Sequence, residues 1–571
     1  MLGKRSPQRK LFQADNLYLD FVGRDSFYGF LASQRGQLFH DEDYAEFYWS
    51  DNGRTSVPPS LLANALLLQT HDQVSDEEAK ARADYDLRWK VALGIEVEER
   101  PFAKSTLQLF RAQLILKEKM RAVFTRSLEF AKQSGYLKER RLRILLDTTY
   151  ILGRGAVKDT YNLLGDGIQQ LCRALAKAKE QKLDVWVQAH EFQGYFGSSL
   201  KGEAQVDWDD EQSQRDFLQG IVLDGQRLMR LAQEVRATLA EDHPQREQIA
   251  QAGQLLEQLL EQDVEFPAGQ AQLKEGVSRD RIVSVHDPEM RHGRKSRSKR
   301  FDGHKAAIAV DAESQLITEV EVLAGNAWDG SDALALTEGS ETNTALGVDE
   351  TVGDCAYGEG SIRQAFADAE RKLIAKVAHA GRKDQIHKSE FQIDLEALTC
   401  TCPAGHTTAH LVSMGFWPEH NGVKLPKQSF AFSVATCAGC PLRPDCVKTK
   451  VNRGRTVQLH PQEDLLRQAR ALQKSPDFPV YRQMRQTVEH RLARLVQLGI
   501  RQARYFGRKK TLFQLLLAAT VANLTLIAGK TGQMRTKVSR FFVFSTWLEA
   551  LREAIRAVGC EREHLLHVFQ W

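Results

Sequence analysis

The run RLRILLDTTYILG, Arg141 to Gly153, most constrains how this chain can fold. Leu142, Ile144 and Leu146 make a buried strand, and that strand runs straight into a carboxylate, Asp147. A charge set against the core is costly without a partner, so this acid needs one. Helical pattern dominates before it, from residue 15 to about 138: "PPSLLANALLLQTH" places Leu61, Leu62, Ala65, Leu66 and Leu68 at helical spacing after Pro58 and Pro59. Ser75 is placed to cap the next helix. Helical pattern also returns afterwards, from about Leu163 to Glu265, in Leu-rich segments such as "IAQAGQLLEQLLEQ", and reads as an inserted helical domain.

Strands resume at "HKAAIAVDAESQLITEVEVLAG", two β-rich runs around the turn Asp311-Ala312-Glu313-Ser314, which predicts a hairpin. "VDETVGD" as a strand, "SIRQAFADAERK" as a helix capped by Ser361, and "KLIAKVA" as a strand then make a βαβ unit with parallel pairing. A cysteine-bearing insert follows from about Gly381 to Ser475, and after "SPDFP" a long helix carries Glu489. A chain of 571 residues holds three or four such folding units.

Three acids stand at the ends of these core elements: Asp147 after the first strand, Asp354 after "ETVG", and Glu489 on the late helix. Strand ends of α/β sheets are where ligands bind, and carboxylates are the hard donors that Mg2+ or Mn2+ prefers. Two such ions would clamp the attacking and leaving oxygens of a phosphodiester. Glu489 is the only Asp or Glu between Phe478 and Leu548, a span with thirteen Lys or Arg. Composition leaves it open between a metal ligand and an ion-pair hub with Arg485 at i−4.

The net charge of +4 is modest, but it is unevenly spread. "MRHGRKSRSKRF" has no apolar period and is expected to be a loop, with Arg291, Arg294, Lys295, Arg297, Lys299 and Arg300 gripping DNA phosphates. A second cluster, Arg501, Arg504, Arg508, Lys509 and Lys510, has helical spacing and the same expected role. Such contacts give affinity and salt dependence without sequence specificity.

Five of the eight cysteines fall between Cys400 and Cys446, a pattern that favours metal over disulfides in an intracellular chain. "CPAG" and "CAGC" supply tight turns, so Cys402, Cys437, Cys440 and Cys446 are the expected ligands of a structural Zn2+, with Cys400 and His406 as substitutes. No apolar leader follows the N-terminus, and "TLFQLLLAATVANLTLIAG" is interrupted by Gln514, Asn523 and several Thr. The chain is therefore expected to be intracellular, with no membrane partner.

"LLDTTYILGRGAVKDTYNLL", "HDPEMRHGRKSRSKRFDGHKAAIAVD", "TVGDCAYGEG" and "VEHRLARLVQLGIRQARYFGRKKTLFQLLLAATVANL" resemble the blocks of bacterial insertion-sequence DDE transposases, specifically the IS eleven-eighty-two group. The likeness runs from about residue 15 to 530. It implies an α/β fold with an RNase H-like catalytic core, an N-terminal helical domain, a helical insertion and a small zinc-binding insertion. The implied divisions are 1–138 for the DNA-binding helical domain, 139–160 for the first core strand, 161–278 for the helical insertion and 279–380 for the continued core. They continue with 381–475 for the cysteine-rich insertion, 476–530 for the core helix with the Glu, and 531–571 as a tail.

The resemblance also implies that Asp147, Asp354 and Glu489 bind two Mg2+ (or Mn2+) ions and that Arg485 assists them. Related enzymes place a Tyr, Arg and Lys around the Glu as Y-x2-R-x3-E-x6-K. Here Arg485 keeps its spacing, Tyr481 lies one residue too far, and Val496 occupies the Lys position. Asn326 and Asp329 of "GNAWDG" are candidates to line the site. The implied partners are double-stranded DNA, as transposon ends and as target, and a second copy of the chain in a homodimer or higher homo-oligomer. The implied location is the bacterial cytoplasm, at the nucleoid. A nuclease that cuts without joining, or a domesticated zinc-containing DNA-binding protein, is the alternative.

Overall fold

The change of pattern at Arg141 becomes a strand, β1, Leu142–Leu152, in a mixed six-stranded sheet. The computed structural model describes residues 1–530 apart from 7–11, 50–52, 297, 379–383, 418–423 and 449–452, so Arg297, Cys560 and the tail 531–571 lie outside the described residues. Two compact units emerge: Met1–Glu139 with the chain from Leu516 onward, and Arg140–Leu515. Helices and a mixed sheet together make this an α/β protein.

In the first unit, Pro59 opens the helix Pro59–Asp72, and Ser75 caps Asp76–Tyr85 by accepting from the Glu78 N–H at 3.1 Å. Asp72 ties this unit together. It accepts from the Tyr28 hydroxyl, the Trp89 indole and the Arg82 guanidinium at 2.6 to 2.8 Å, and it pairs with His71 at 2.7 Å. Burial alone would raise the Asp72 carboxyl, but these bonds outweigh it and hold the pKa well below the usual carboxylate range.

In the second unit the other strands of the sheet are β2, Arg291–Arg294; β3, Arg300–Asp311; β4, Ile317–Ala324; β5, Val348–Val352; and β6, Leu373–Ile374. β1 is central. It runs antiparallel to β3, with Asp147 opposite Ile308, and parallel to β5 from Leu142 to Leu145. β2 and β4 both pair antiparallel with the far edge of β3, and β6 continues parallel to β5. Leu142, Ile144, Leu145 and Leu146 are fully buried, so the strand's apolar half anchors it in the core. The expected hairpin is β3–β4: Asp311 closes its turn by accepting from the Ser314 N–H and hydroxyl at 2.8 and 2.6 Å.

Between β1 and β2 the chain forms helices Thr160–Ala178, Leu183–Ala189, Glu211–Thr238 and Pro244–Asp263, which bury a separate core around Leu171, Leu228 and Leu256. The cysteine-bearing segment folds as two small three-stranded sheets over Phe391, Cys400, Phe430 and Val457.

Five local expectations are corrected. The basic run is a hairpin rather than a loop: Arg291 to Arg294 pair with Arg300 to Gly303, and the backbone ladder needs no apolar side chains on the exposed face. Gly293 permits this, because a Cβ there would lie 2.2 Å from the Phe301 ring. The long late helix is two, Phe478–Met484 and Gln486–Leu495, meeting at Arg485. Their anchors differ: Tyr481 bonds Glu350 and Met484 meets Arg143, whereas Val488, Leu492 and Leu495 are buried where the second helix packs on β1 and β3. Ser361 lies inside the helix Gly360–Asp368, whose cap is Glu359. Arg501 and Arg504 are not helical, because Gly507 at φ +85° cannot continue a helix backward from Arg508. The helix Arg508–Lys530 is long and apolar enough to cross a membrane, against expectation, but 72% of its apolar window is buried in the protein, as in a core helix.

Candidate active site

β1 carries Asp147 to the point where its parallel partner ends. Beyond Leu145 the β5 side of β1 has no strand partner among the described residues until Leu152 bridges Gln502. Asp147 is half-buried, and its Oδ1 accepts from the Thr148 N–H at 2.8 Å. Burial pushes its carboxyl up from the ordinary 3.8 to about 6. The Thr148 N–H and the Arg485 guanidinium oppose that rise, while the negative charges of Asp354 and Glu489 add to it. Four residues spread over more than 340 positions of chain therefore act on one carboxylate.

Asp354 follows β5 by two residues and caps the turn Cys355–Gly358, with its Oδ1 accepting from the Ala356 N–H at 2.7 Å. Glu489 sits in the first turn of Gln486–Leu495, adjacent to the buried Val488 that fixes the helix, and its side chain is 58% exposed. Arg485 Nη2 stands 3.9 Å from Glu489 Oε1. The ion pair is thus real, but Arg485 is shared with Asp147 rather than reserved for Glu489. Tyr481 is not part of this group: its hydroxyl donates to Glu350 at 3.2 Å, beside Lys372 at 2.9 Å and Arg143.

Two residues are drawn to the site beyond the acids. Asp329 accepts from Lys305 Nζ at 2.7 Å, and the same ammonium donates to the Ala327 carbonyl at 2.6 Å. Tyr357 is buried, and its phenol is pushed far up by burial and by the charges of Asp147, Asp329 and Asp354. Its hydroxyl has no hydrogen-bond partner among the described residues. Sequence reasoning missed Tyr357, although a hydroxyl-bearing aromatic three residues after Asp354 was the available signal. Asn326 instead donates to the Arg279 carbonyl and Asp280, both at 2.8 Å.

Hard oxygen donors gathered around a half-buried carboxylate that ionises reluctantly suit a divalent cation, which would relieve the like-charge repulsion. Among the described residues, no three His, Cys, Asp or Glu side chains stand close enough together to hold a metal ion as they are.

The cysteines gather separately, around one cavity but not close enough together to hold a metal ion as they stand. Cys402, Cys437, Cys440 and Cys446 line one small cavity with His406, whereas Cys400 is fully buried in the small core. Burial pushes the Cys400 thiol up to about 11, which suits a packing role. The Cys446 thiol is raised first by burial and then by the other three sulfurs, against the lowering effect of Arg455. The Arg455 N–H points to Cys437 Sγ at 3.4 Å.

Of the basic residues, Arg501 donates to the Thr149 hydroxyl at 3.1 Å and the Tyr150 carbonyl at 2.6 Å. Arg508 pairs with Glu289 at 3.2 Å. Arg294, Lys295, Lys299 and Arg300 project from the β2–β3 hairpin, and Arg291 lies half-buried at its base.

A mixed sheet with Asp147 on its central strand, Asp354 just past a strand end and Glu489 on a packed helix, both of the latter acting on Asp147, defines an acid-centred α/β site. Residues 401–528 match the family model of a transposase DDE domain, and residues 19–113 match that of a transposase domain (DUF772). Two separate stretches of the chain are thus similar to transposase domains, one of them a DDE domain. The DDE match includes Glu489, Arg485 and the four cavity-lining cysteines, while Asp147 and Asp354 precede it. No curated protein and no solved structure matches the chain.

Proposed function

We propose that this chain is a transposase of the IS eleven-eighty-two group, which binds the terminal inverted repeats of its element and performs metal-dependent cleavage and strand transfer. The observation that carries the reading is the electrostatic convergence of Asp354, Glu489 and Arg485 on Asp147. An RNase H-like core is supported by the sheet: three antiparallel strands, β4, β3 and β1, continued by the parallel β5 and β6. Within it, Asp147, Asp354 and Glu489 hold two Mg2+ or Mn2+ ions. Bound there, the ions supply an activated water and neutralise charge on the phosphodiester.

The chain's own groups do the rest. The three carboxylates would hold the cations rather than contact the anionic phosphodiester themselves, and Arg485 places a rigid cationic fork beside the developing charge. Water attacks the phosphorus at the transposon end, breaking the P–O3′ bond to leave a 3′-OH on the element and a 5′-phosphate on the flank; that hydroxyl then attacks a target phosphodiester, forming a new P–O bond and expelling the target strand's 3′-OH. Arg291, Arg294, Lys295, Arg297, Lys299, Arg300, Arg501, Arg504, Arg508, Lys509 and Lys510 supply backbone contacts.

Residues 1–138 recognise the ends, and 139–160, 279–380 and 476–530 build the core around a helical insertion at 161–278. In the insertion 381–475, Cys402, Cys437, Cys440 and Cys446 hold a structural Zn2+, supported by their shared cavity. The enzyme works as a homodimer or higher oligomer on double-stranded DNA, at the nucleoid in the cytoplasm.

The test is incubation of the purified chain with labelled DNA carrying the ends of its element, a target duplex and Mg2+. Joined products are expected. Cleavage without joining would make it a nuclease, and neither product would make it a DNA-binding protein without turnover.

A further inference from the structure

On β1, three residues beyond Asp147, the Tyr150 ring collects cations. The Arg501 guanidinium lies 3.7 Å from its centroid, Lys299 Nζ 5.4 Å and Lys295 Nζ 5.7 Å. Each is within the reach of a cation–π contact, and Lys299 also meets the phenol oxygen. The three come from two places far apart in sequence, the tip of the β2–β3 hairpin and the segment that bridges Leu152.

The cluster is built rather than accidental. Arg501 is fixed by its bonds to Thr149 and to the Tyr150 carbonyl, and the ring is backed by Phe301 at 5.2 Å. None of the three cations forms an ion pair with a carboxylate among the described residues, and the hairpin's own acid, Asp302, is taken by His292. Three like charges held around one ring repel each other, and an anion is what would settle them.

We propose that Tyr150, Lys295, Lys299 and Arg501 form a seat for one phosphate of the DNA backbone, displaced from the scissile phosphate. This rests on the transposase reading above. The strand rises roughly 3.3 Å per residue and its side chains alternate faces, so the seat lies about 10 Å along β1 from Asp147 and on the opposite face of the strand, where it would grip backbone away from the cut. Arg501 keeps its Nε and Nη2 hydrogens for the phosphate oxygens, the lysines neutralise its charge, and the ring holds all three cations in place.

The test uses the full chain and a labelled duplex, with affinity measured across a salt series. Lys295→Gln/Lys299→Gln/Arg501→Gln should weaken binding more than about tenfold near 100 mM salt and flatten the log–log salt dependence by about one. Lys177→Gln/Lys179→Gln/Lys182→Gln removes the same charge from exposed positions of the helical insertion and should change affinity less than about threefold. Tyr150→Leu removes no charge and should still weaken binding about fivefold, because the cations lose their common support. Thermal melting checks that every variant is folded. Wild-type affinity in the first variant or in Tyr150→Leu, or an equal loss in the insertion variant, overturns the phosphate seat. Failure of the unaltered chain to bind DNA overturns the transposase reading as well.

Discussion

Arg485 stands 3.9 Å from Glu489 and also acts on Asp147, so a single guanidinium serves two of the three acids. Its planar fork can face both, which an ammonium point charge cannot. Arg485→Lys is therefore expected to lose most of the cleavage activity, and Arg485→Ala to lose about a hundredfold or more, the usual scale for one preorganised charge-stabilising donor. DNA affinity should change little in either variant. Full cleavage by Arg485→Lys, measured on end DNA, would show that charge alone suffices.

Asp147 makes the fold pH-sensitive in a defined direction. The unfolded chain releases this proton near the ordinary 3.8, the folded chain only near about 6. The ionised group therefore disfavours folding, with the penalty growing as pH rises from about 4 to 6 and constant above that, at about 3 kcal/mol. Asp147→Asn should raise the melting temperature at pH 8 more than at pH 5. Added Mn2+ should raise it for the unaltered chain but not for Asp147→Asn, by ordinary ligand linkage. Equal melting of both proteins at pH 8 without metal would remove the argument that the acid is held at a cost.

The Tyr357 hydroxyl is a buried donor without a partner among Asp147, Asp329 and Asp354. Tyr357→Phe removes an unsatisfied group, so stability should hold or rise by about 1 kcal/mol. If the hydroxyl bonds a carboxylate or the phosphodiester during reaction, cleavage falls about tenfold in that variant. Unchanged cleavage together with raised stability would assign Tyr357 to packing alone.

The four cysteines around one cavity predict about one zinc per chain by elemental analysis. Cys440→Ser and Cys446→Ser should lose it and expose the insertion to proteolysis, because a bound zinc would contribute several kcal/mol to a core this small. Cys355→Ser, on an exposed turn, should keep the zinc. Full metal content in Cys440→Ser would exclude that ligand.

Much of this architecture was legible in the sequence where burial and period coincide. The apolar half of β1, the β3–β4 hairpin and the β5–helix–β6 unit each announce themselves, because a strand buried on both faces or a tight turn leaves little choice of residue. The β2–β3 hairpin hid its strand behind cationic side chains, since ladder bonds belong to the backbone. The break at Arg485 was invisible because its own dihedrals remain helical and only distant anchors, Glu350 and β1, separate the two helices. Lys305 carried a missed signal: a lysine directly before the apolar run Ala306 to Val310 needs a counter-charge, which Asp329 supplies. Tyr150 gave none, because its cations arrive from segments about 145 and 350 residues away.

Glu489→Gln tests the central claim most directly, because it changes one oxygen to an amide on a 58% exposed side chain and leaves the packed face of its helix intact. End-labelled DNA is incubated with the variant in Mg2+ and in Mn2+, and cleavage and binding are measured together. Three acids acting as one metal-dependent site predict loss of cleavage by about a thousandfold with DNA binding retained. Substantial cleavage by Glu489→Gln would contradict it.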